Sequence, residues 1–317
     1  VTGYLVRRVG QAIVVVIGVM MVTFILIHLE PGSVARSILG LRATSDRIAI
    51  FNATYGLNEP LYKQLLDYVE QVAHGNLGTS YYLQQPVSAL FAQRLPRDLL
   101  LLGSSTILAL LISLPMGIYQ AVRRGGVMDN MLGAASFTLY CMPAFWIAVM
   151  LVAILAVQTH VFLPEAPTGT TVGSMLAQPR ALALPVLTLT LVQVSGFSRY
   201  MRSAAIDVLA QDFLRAVRAK GLPERLVLSR HVLRNALLPV VTIVGLSLPG
   251  LVTGAIVVEE VFNYQGMGLL FFDAATHRDF PVLLGSTLIV GVATVAGSLL
   301  ADIAYMLLDP RVRYVGG

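Results

Sequence analysis

Uncharged runs of roughly twenty apolar residues recur along the chain, and the gaps between them hold most of its Lys, Arg, Asp and Glu. The first run, residues 9–29, would extend about 31 Å at 1.5 Å per residue as a helix. That length matches the hydrocarbon core of a bilayer. Five further runs follow at 99–121, 131–158, 181–198, 236–258 and 281–301. A lipid-embedded segment has to satisfy its own backbone N–H and C=O groups, so each run predicts a helix. The pattern therefore predicts an all-α polytopic membrane protein with about six transmembrane helices.

Prolines fall within or at the edge of five of these runs, as Pro115, Pro143, Pro185, Pro239 with Pro249, and Pro281. They suit helices that bend, although proline is common in transmembrane helices generally. Gly250 and Gly254 form a GxxxG pair through which another helix can approach closely.

The division that follows is 1–29 as N-terminus and first helix, 30–97 as a small extracytoplasmic unit, and 98–317 as the transmembrane body. A large cytoplasmic segment lies at 199–235. Within 30–97, EPG marks a turn. Leu61, Leu65, Leu66, Val69 and Val72 are spaced as the apolar face of an amphipathic helix. GNLG then breaks the pattern, and a second short helix with Val87, Leu90, Phe91 and Leu95 leads into the next run.

Composition agrees with a membrane setting: 56% of the 317 residues are hydrophobic and 12% charged, about half the charged share of a soluble domain. The formal net charge is +5. Basic loops on one membrane face account for it without nucleic acid. With six helices both termini share one side, which holds fourteen Lys and Arg against eight on the other. Positive loops face the cytoplasm, so both termini are placed there. The single cysteine, Cys141, forms no intramolecular disulfide.

No chemistry for energy coupling is visible. The two lysines, Lys63 and Lys220, are not followed by Ser or Thr as in a nucleotide-binding P-loop. Asp98, Glu259, Glu260 and Asp302 lie near helix ends and not mid-membrane, which argues against a proton relay. Ser198 with His160, His231 or His277 would suggest an intramembrane protease, but the four occupy different depths, and nucleophile activation needs a hydrogen-bonded base. The reading is no enzyme activity, no cofactor and no metal in this chain.

The 199–235 segment is the most informative. Its first half reads as a helix with Ile206, Leu209, Phe213, Leu214 and Val217 on one side and Arg215 and Arg218 among its polar residues. Gly221 ends it, since glycine enters the left-handed region without a Cβ penalty. Pro223 and Glu224 suit the first turn of the next helix. Such an element can seat in a groove on another protein, or rest on anionic lipid.

RAKGLPERLVLSRHVLRNALLPVV resembles the cytoplasmic coupling motif of ABC importer permeases, in the B-type subunit of the dipeptide, oligopeptide and nickel family. YLVRRVGQAI, FILIHLEPGS, YGLNEPLYKQLLDYV, GNLGTS, VVEEVFNYQGMGLL, RDFPVL and DIAYMLLDPRVRY extend the resemblance over essentially the whole chain. In the general motif Glu-Ala-Ala begins six residues before the glycine. Arg215, Ala216 and Val217 stand there, so only Ala216 and Gly221 match, and the Leu238–Pro239 pair comes later than usual. The resemblance implies the type I importer permease fold and a pore subunit for dipeptides or short oligopeptides in a bacterial inner membrane, with nickel chelates as the alternative cargo. It implies as partners a homologous second permease, cytoplasmic ATPase subunits that carry ATP and Mg, and an extracytoplasmic peptide-binding protein.

Residues 204–225 would form the coupling helix. Its contacts with the ATPase would come from Asp212, Arg215, Ala216, Arg218, Ala219, Lys220, Gly221, Leu222, Glu224 and Arg225. On the outer side, Glu260, Phe262, Tyr264, Gln265 and Met267 would form an outer gate or touch the binding protein. Asp309–Pro310 stops the last helix, and Arg311 and Arg313 sit where helix dipole and anionic lipid favour cations.

Overall fold

The computed structural model describes residues 2–29, 32–40, 42–169, 171–247, 249–250 and 255–308. Glu30, Pro31, Gly254, Asp309, Pro310, Arg311 and Arg313 lie outside these residues, and so do the turn, helix-contact and anchoring roles read for them. In chain order the helices are α1 (Thr2–Leu29), α2 (Val34–Leu39), α3 (Ser45–Thr54), α4 (Leu61–Ala73) and α5 (Val87–Val122). They continue with α6 (Val127–Cys141), α7 (Ala144–Leu151), α8 (Val172–Leu176), α9 (Pro179–Leu209) and α10 (Asp212–Ala219). The last are α11 (Glu224–Leu226), α12 (Leu233–Ser247), α13 (Ile256–Phe262), α14 (Met267–His277) and α15 (Phe280–Leu308). The all-α polytopic class holds.

Among the described residues four helical stretches are long and apolar enough to cross a membrane: Val87–Val122, Pro179–Leu209, Glu224–Ser247 and Phe280–Ala301. The pair Val127–Cys141 and Ala144–Gln158 is apolar enough only when taken together, as a broken span or a re-entrant loop, and a shorter apolar helix covers Ile13–Leu29. The run predicted at 131–158 is thus two helical pieces, bent by 106° at Pro143. Pro143 has no N–H to donate and holds Met142 in the extended region at φ −77°, ψ 131°. Pro115, Pro185 and Pro239, by contrast, lie inside continuous helix. The short helix expected at Val87 is the first part of α5, and the span expected at 236–258 begins upstream at Glu224. Two π-helical stretches, Val152–Gln158 and Val227–Val232, continue α7 and precede α12.

The chain divides into two compact units. The first comprises Val1–Arg97, Val252–Ile256 and Gln265–Val295. There Val87, Leu90 and Phe91 of α5 pack with Met267, Leu270 and Ala274 of α14 and Val282 and Leu283 of α15. On α4 the buried face is Leu65, Tyr68 and Val72, set against Met20, Phe24 and Leu284. Leu65 and Val72 of the predicted face therefore hold, whereas Leu61, Leu66 and Val69 are exposed and Tyr68 joins in their place. A face at 65, 68 and 72 follows the i, i+3, i+7 rule just as well, and it buries an aromatic ring.

The second unit comprises Asp98–Leu251, Val257–Tyr264 and Ala296–Gly317. Its centre is α9, which packs against α6, α7 and α12. Gly117 lets α5 approach α9 closely, because a Cβ there would lie 2.7 Å from the Met201 side chain. Inside this bundle Thr106 Oγ1 donates to Gln193 Oε1 at 2.8 Å, and Gln193 Nε2 donates to Ser105 Oγ at 3.0 Å. Polar pairs of this kind hold apolar helices in register.

Candidate coupling surface and its anchors

The predicted single helix over the first half of the 199–235 segment is corrected. Ile206 and Leu209 belong to α9, which stops at Leu209, and α10 starts anew at Asp212 after the extended Gln211. Leu214 is fully buried with Met201, Ala205, Val208, Val227, Val232 and Ala236, and Val217 and Leu222 pack on the same cluster. Phe213 is 38% exposed and does not share that face. Leu214, with Val217 beside it, fixes α10 on its neighbours and leaves its other side exposed.

The consequence is a continuous exposed surface. Asp212, Arg215, Ala216, Arg218, Ala219, Lys220, Gly221, Glu224 and Arg225 are exposed, while Leu222 is half-buried. Gly221 closes α10 at φ 75°, its N–H donating to the Arg218 carbonyl at 2.9 Å. Across that turn Arg218 grips Glu224 with two bonds, Nε to Oε2 at 3.2 Å and Nη2 to Oε1 at 2.7 Å. The guanidinium fork fits a carboxylate in this bidentate way and fixes the angle between α10 and α11. Arg215 and Asp212 stand 3.4 Å apart, both more than four-fifths exposed. Since Arg218 and Glu224 are both about half exposed, Arg218→Ala is expected to lower thermal stability by no more than about 1 kcal/mol. Any larger effect should be on binding to a partner, and a pull-down comparing the variant with the parent separates the two.

An ion pair that the sequence reading missed anchors the base of this surface. Arg202 of α9 donates from Nε and Nη2 to both carboxylate oxygens of Asp129 at 2.9 and 2.8 Å. The Gly125 N–H donates to Asp129 Oδ2 at 2.9 Å. Asp129 is 3% exposed. The available signal was a lone acid opening one apolar run and an arginine closing another, since a charge at a span end needs a partner.

The residues assigned to an outer contact separate into two groups. Glu260 and Gln265 are exposed, whereas Phe262, Tyr264 and Met267 are at most 2% exposed. The Phe262 carbonyl accepts from the Ala166 N–H at 2.8 Å, and the Tyr264 N–H donates to the Glu259 carbonyl at 2.7 Å. Met267 packs in the cluster of Val87 and Phe91. Gln265 Oε1 accepts from Arg94 Nη1, and its carbonyl accepts from Arg97 Nη1 at 3.2 Å.

Nearby in sequence, Asp279 joins two of the quoted motifs. It is 1% exposed, and it accepts from the Ser80 hydroxyl, from the Tyr81 N–H at 3.0 Å and from the Tyr82 N–H at 3.2 Å. The GNLGTS and RDFPVL stretches thus meet at one carboxylate. Asp279→Asn turns one acceptor towards these donors into an NH2 group. The expected loss is about 1–2 kcal/mol, read as a lower melting temperature with faster proteolysis between residues 79 and 86.

Ser198 is fully buried and lies 3.3 Å from the Ser136 hydroxyl, not beside a histidine. His277 instead stacks on Tyr82 at 3.8 Å.

Comparison with known proteins accords with this architecture. Residues 113–314 match the family described as "Binding-protein-dependent transport system inner membrane component". Residues 1–102 match its companion, "Binding-prot-dependent transport system membrane comp, N-term". The chain is 38% identical to the oligopeptide transport system permease protein AppB of Bacillus subtilis (strain 168), over 98% of this chain and 99% of AppB. It is 33% identical to the dipeptide transport system permease protein DppB of Escherichia coli (strain K12), over 98% of each. A match over most of the chain, on an all-α body of membrane-length helices, places the protein in the family of inner membrane components of binding-protein-dependent transport systems.

Proposed function

We propose that the chain is the pore-forming permease subunit of an ATP-driven importer of dipeptides or short oligopeptides. It lies in a bacterial inner membrane with both termini cytoplasmic. It pairs there with a homologous permease, and ATPase subunits below the pair bind ATP and Mg. An extracytoplasmic protein delivers the peptide to the 30–97 side.

The observation that carries this reading is the exposed α10–turn–α11 element, held by Leu214 and by the Arg218–Glu224 fork at the end of two apolar helices. An element fixed on one side and open on the other can transmit a partner's movement to the helices behind it. Asp212, Arg215, Ala216, Arg218, Ala219, Lys220, Gly221, Leu222, Glu224 and Arg225 form the ATPase contact. Glu260 and Gln265 present the outer contact, with Phe262, Tyr264 and Met267 as the packing behind it.

The test is uptake of a labelled dipeptide in cells with and without the gene, with unlabelled dipeptide, a longer peptide and a nickel chelate as competitors. Gene-dependent uptake blocked by peptide is the expected result. Uptake blocked only by the nickel chelate, or unchanged on deletion, would overturn the peptide assignment.

A further inference from the structure

The first unit contains a cavity of about 430 Å³ that the coupling model does not use. Its size lies within the roughly 300–1,000 Å³ of small-molecule sites. One wall is a run of rings in mutual contact: Phe24 to His28 at 4.2 Å, His28 to Phe280 at 5.0 Å, Phe280 to Tyr81 at 6.4 Å, and Tyr81 to Tyr55 at 4.4 Å. Helix α4 contributes Gln64, Asp67, Tyr68 and Gln71 to the lining.

Three features define what fits. Asp67 is the one acidic side chain among the described lining residues; the nearest lysine, Lys63 one turn earlier on α4, lies outside the lining and pairs with Glu59 at 3.0 Å. Aromatic faces beside a carboxylate attract an organic cation, since the ring quadrupole and the negative charge act in the same direction. Tyr68 is 9% exposed, and its hydroxyl is buried without a hydrogen-bond partner among the described residues. Leaving such a donor unpaired is unfavourable, so a bound acceptor would be stabilised by it. Burial, and then the neighbouring Tyr81, raise the Tyr68 phenol above its ordinary pKa and keep it in the donating form. Two polar groups of the lining are already engaged: Gln64 Nε2 donates to the Glu59 carbonyl at 2.7 Å, and Asn76 Oδ1 accepts from the Gly78 N–H at 2.9 Å.

We infer that this cavity binds a short peptide with an apolar or aromatic side chain, its protonated amine at Asp67 among the aromatic faces and a carbonyl or carboxylate oxygen on the Tyr68 hydroxyl. The inference rests on reading the cargo as peptide and the 30–97 side as extracytoplasmic. It adds a recognition point within the first unit of the permease chain itself.

The experiment is calorimetric titration of the assembled transporter, without its binding protein, using Ala-Phe, N-acetyl-Ala-Phe and phenethylamine. Ala-Phe is expected to bind, and acetylation or Asp67→Asn to weaken it about tenfold or more. Tyr68→Phe should weaken Ala-Phe but leave phenethylamine unchanged, because that amine has no acceptor oxygen. Asp67 is exposed, so its variant should fold and decides the matter alone should Tyr68→Phe prove unstable. No binding at millimolar Ala-Phe, equal binding of the acetylated peptide, or an unaffected Asp67→Asn protein overturns the inference. Uptake by whole cells is scored separately: uptake intact without binding at this cavity removes the cavity site and leaves the importer reading standing.

Discussion

Gly221→Val is expected to abolish peptide uptake while the protein still inserts and folds, and Gly221→Asn to retain much of it. Gly221 sits at φ 75°, and a Cβ built there meets nothing within 4 Å. Sterics against neighbours therefore play no part, and the whole effect is the local backbone preference. A non-glycine residue in the left-handed region costs about 1–2 kcal/mol, with asparagine near the lower end. Valine is worse, since its branched Cβ makes positive φ an outlier. The turn would reopen, α11 would change direction, and Glu224 would leave the Arg218 fork. Uptake together with ATP hydrolysis by the assembled complex measures this: hydrolysis without uptake is the expected signature. Parental uptake in the valine variant would remove the turn from the coupling mechanism.

Asp129→Ala should have the largest effect on stability. It leaves the Arg202 guanidinium and the Gly125 N–H without their acceptor. Breaking a buried ion pair from one side costs about 3–5 kcal/mol. Arg202 is 34% exposed and can partly rehydrate, so about 2–3 kcal/mol is expected. Since α6 and α9 are joined at this point, thermal unfolding in detergent should shift downward, and the Arg202→Ala, Asp129→Ala double variant should recover part of the loss. A double variant as unstable as the sum of the two singles would mean that the pair is not coupled.

The helices were legible from the apolar runs because lipid leaves the backbone little choice. What stayed hidden depended on tertiary partners. Pro143 breaks its helix while Pro115 and Pro185 do not, and nothing in their immediate sequence separates them; neighbouring helices decide which freed carbonyl is tolerated. The apolar face of α4 was misread because Leu61, Leu66 and Val69 look more hydrophobic than Tyr68, yet the tyrosine is the residue that fills space beside Phe24 and Leu284. The turn at Gly221 and the exposed charges around it were readable, since one glycine and one proline fix that geometry locally. The ion pair of Asp129 with Arg202 spans 73 residues of sequence, and no local rule pairs them.

The π-helical stretch Val227–Val232 has a consequence for how the chain tolerates changes in length. An i→i+5 turn holds one residue more than an α-turn, so the segment stores a single spare residue between the Gly221 turn and α12. Removing one residue from 227–232 should convert it to ordinary α-helix while the flanking segments keep their rotational phase. The same deletion one turn further on, within α12, would rotate every downstream side chain by about 100°. Relatives that differ by one residue in this segment should therefore keep the same buried face on α12, and an alignment that places the gap elsewhere would misassign it.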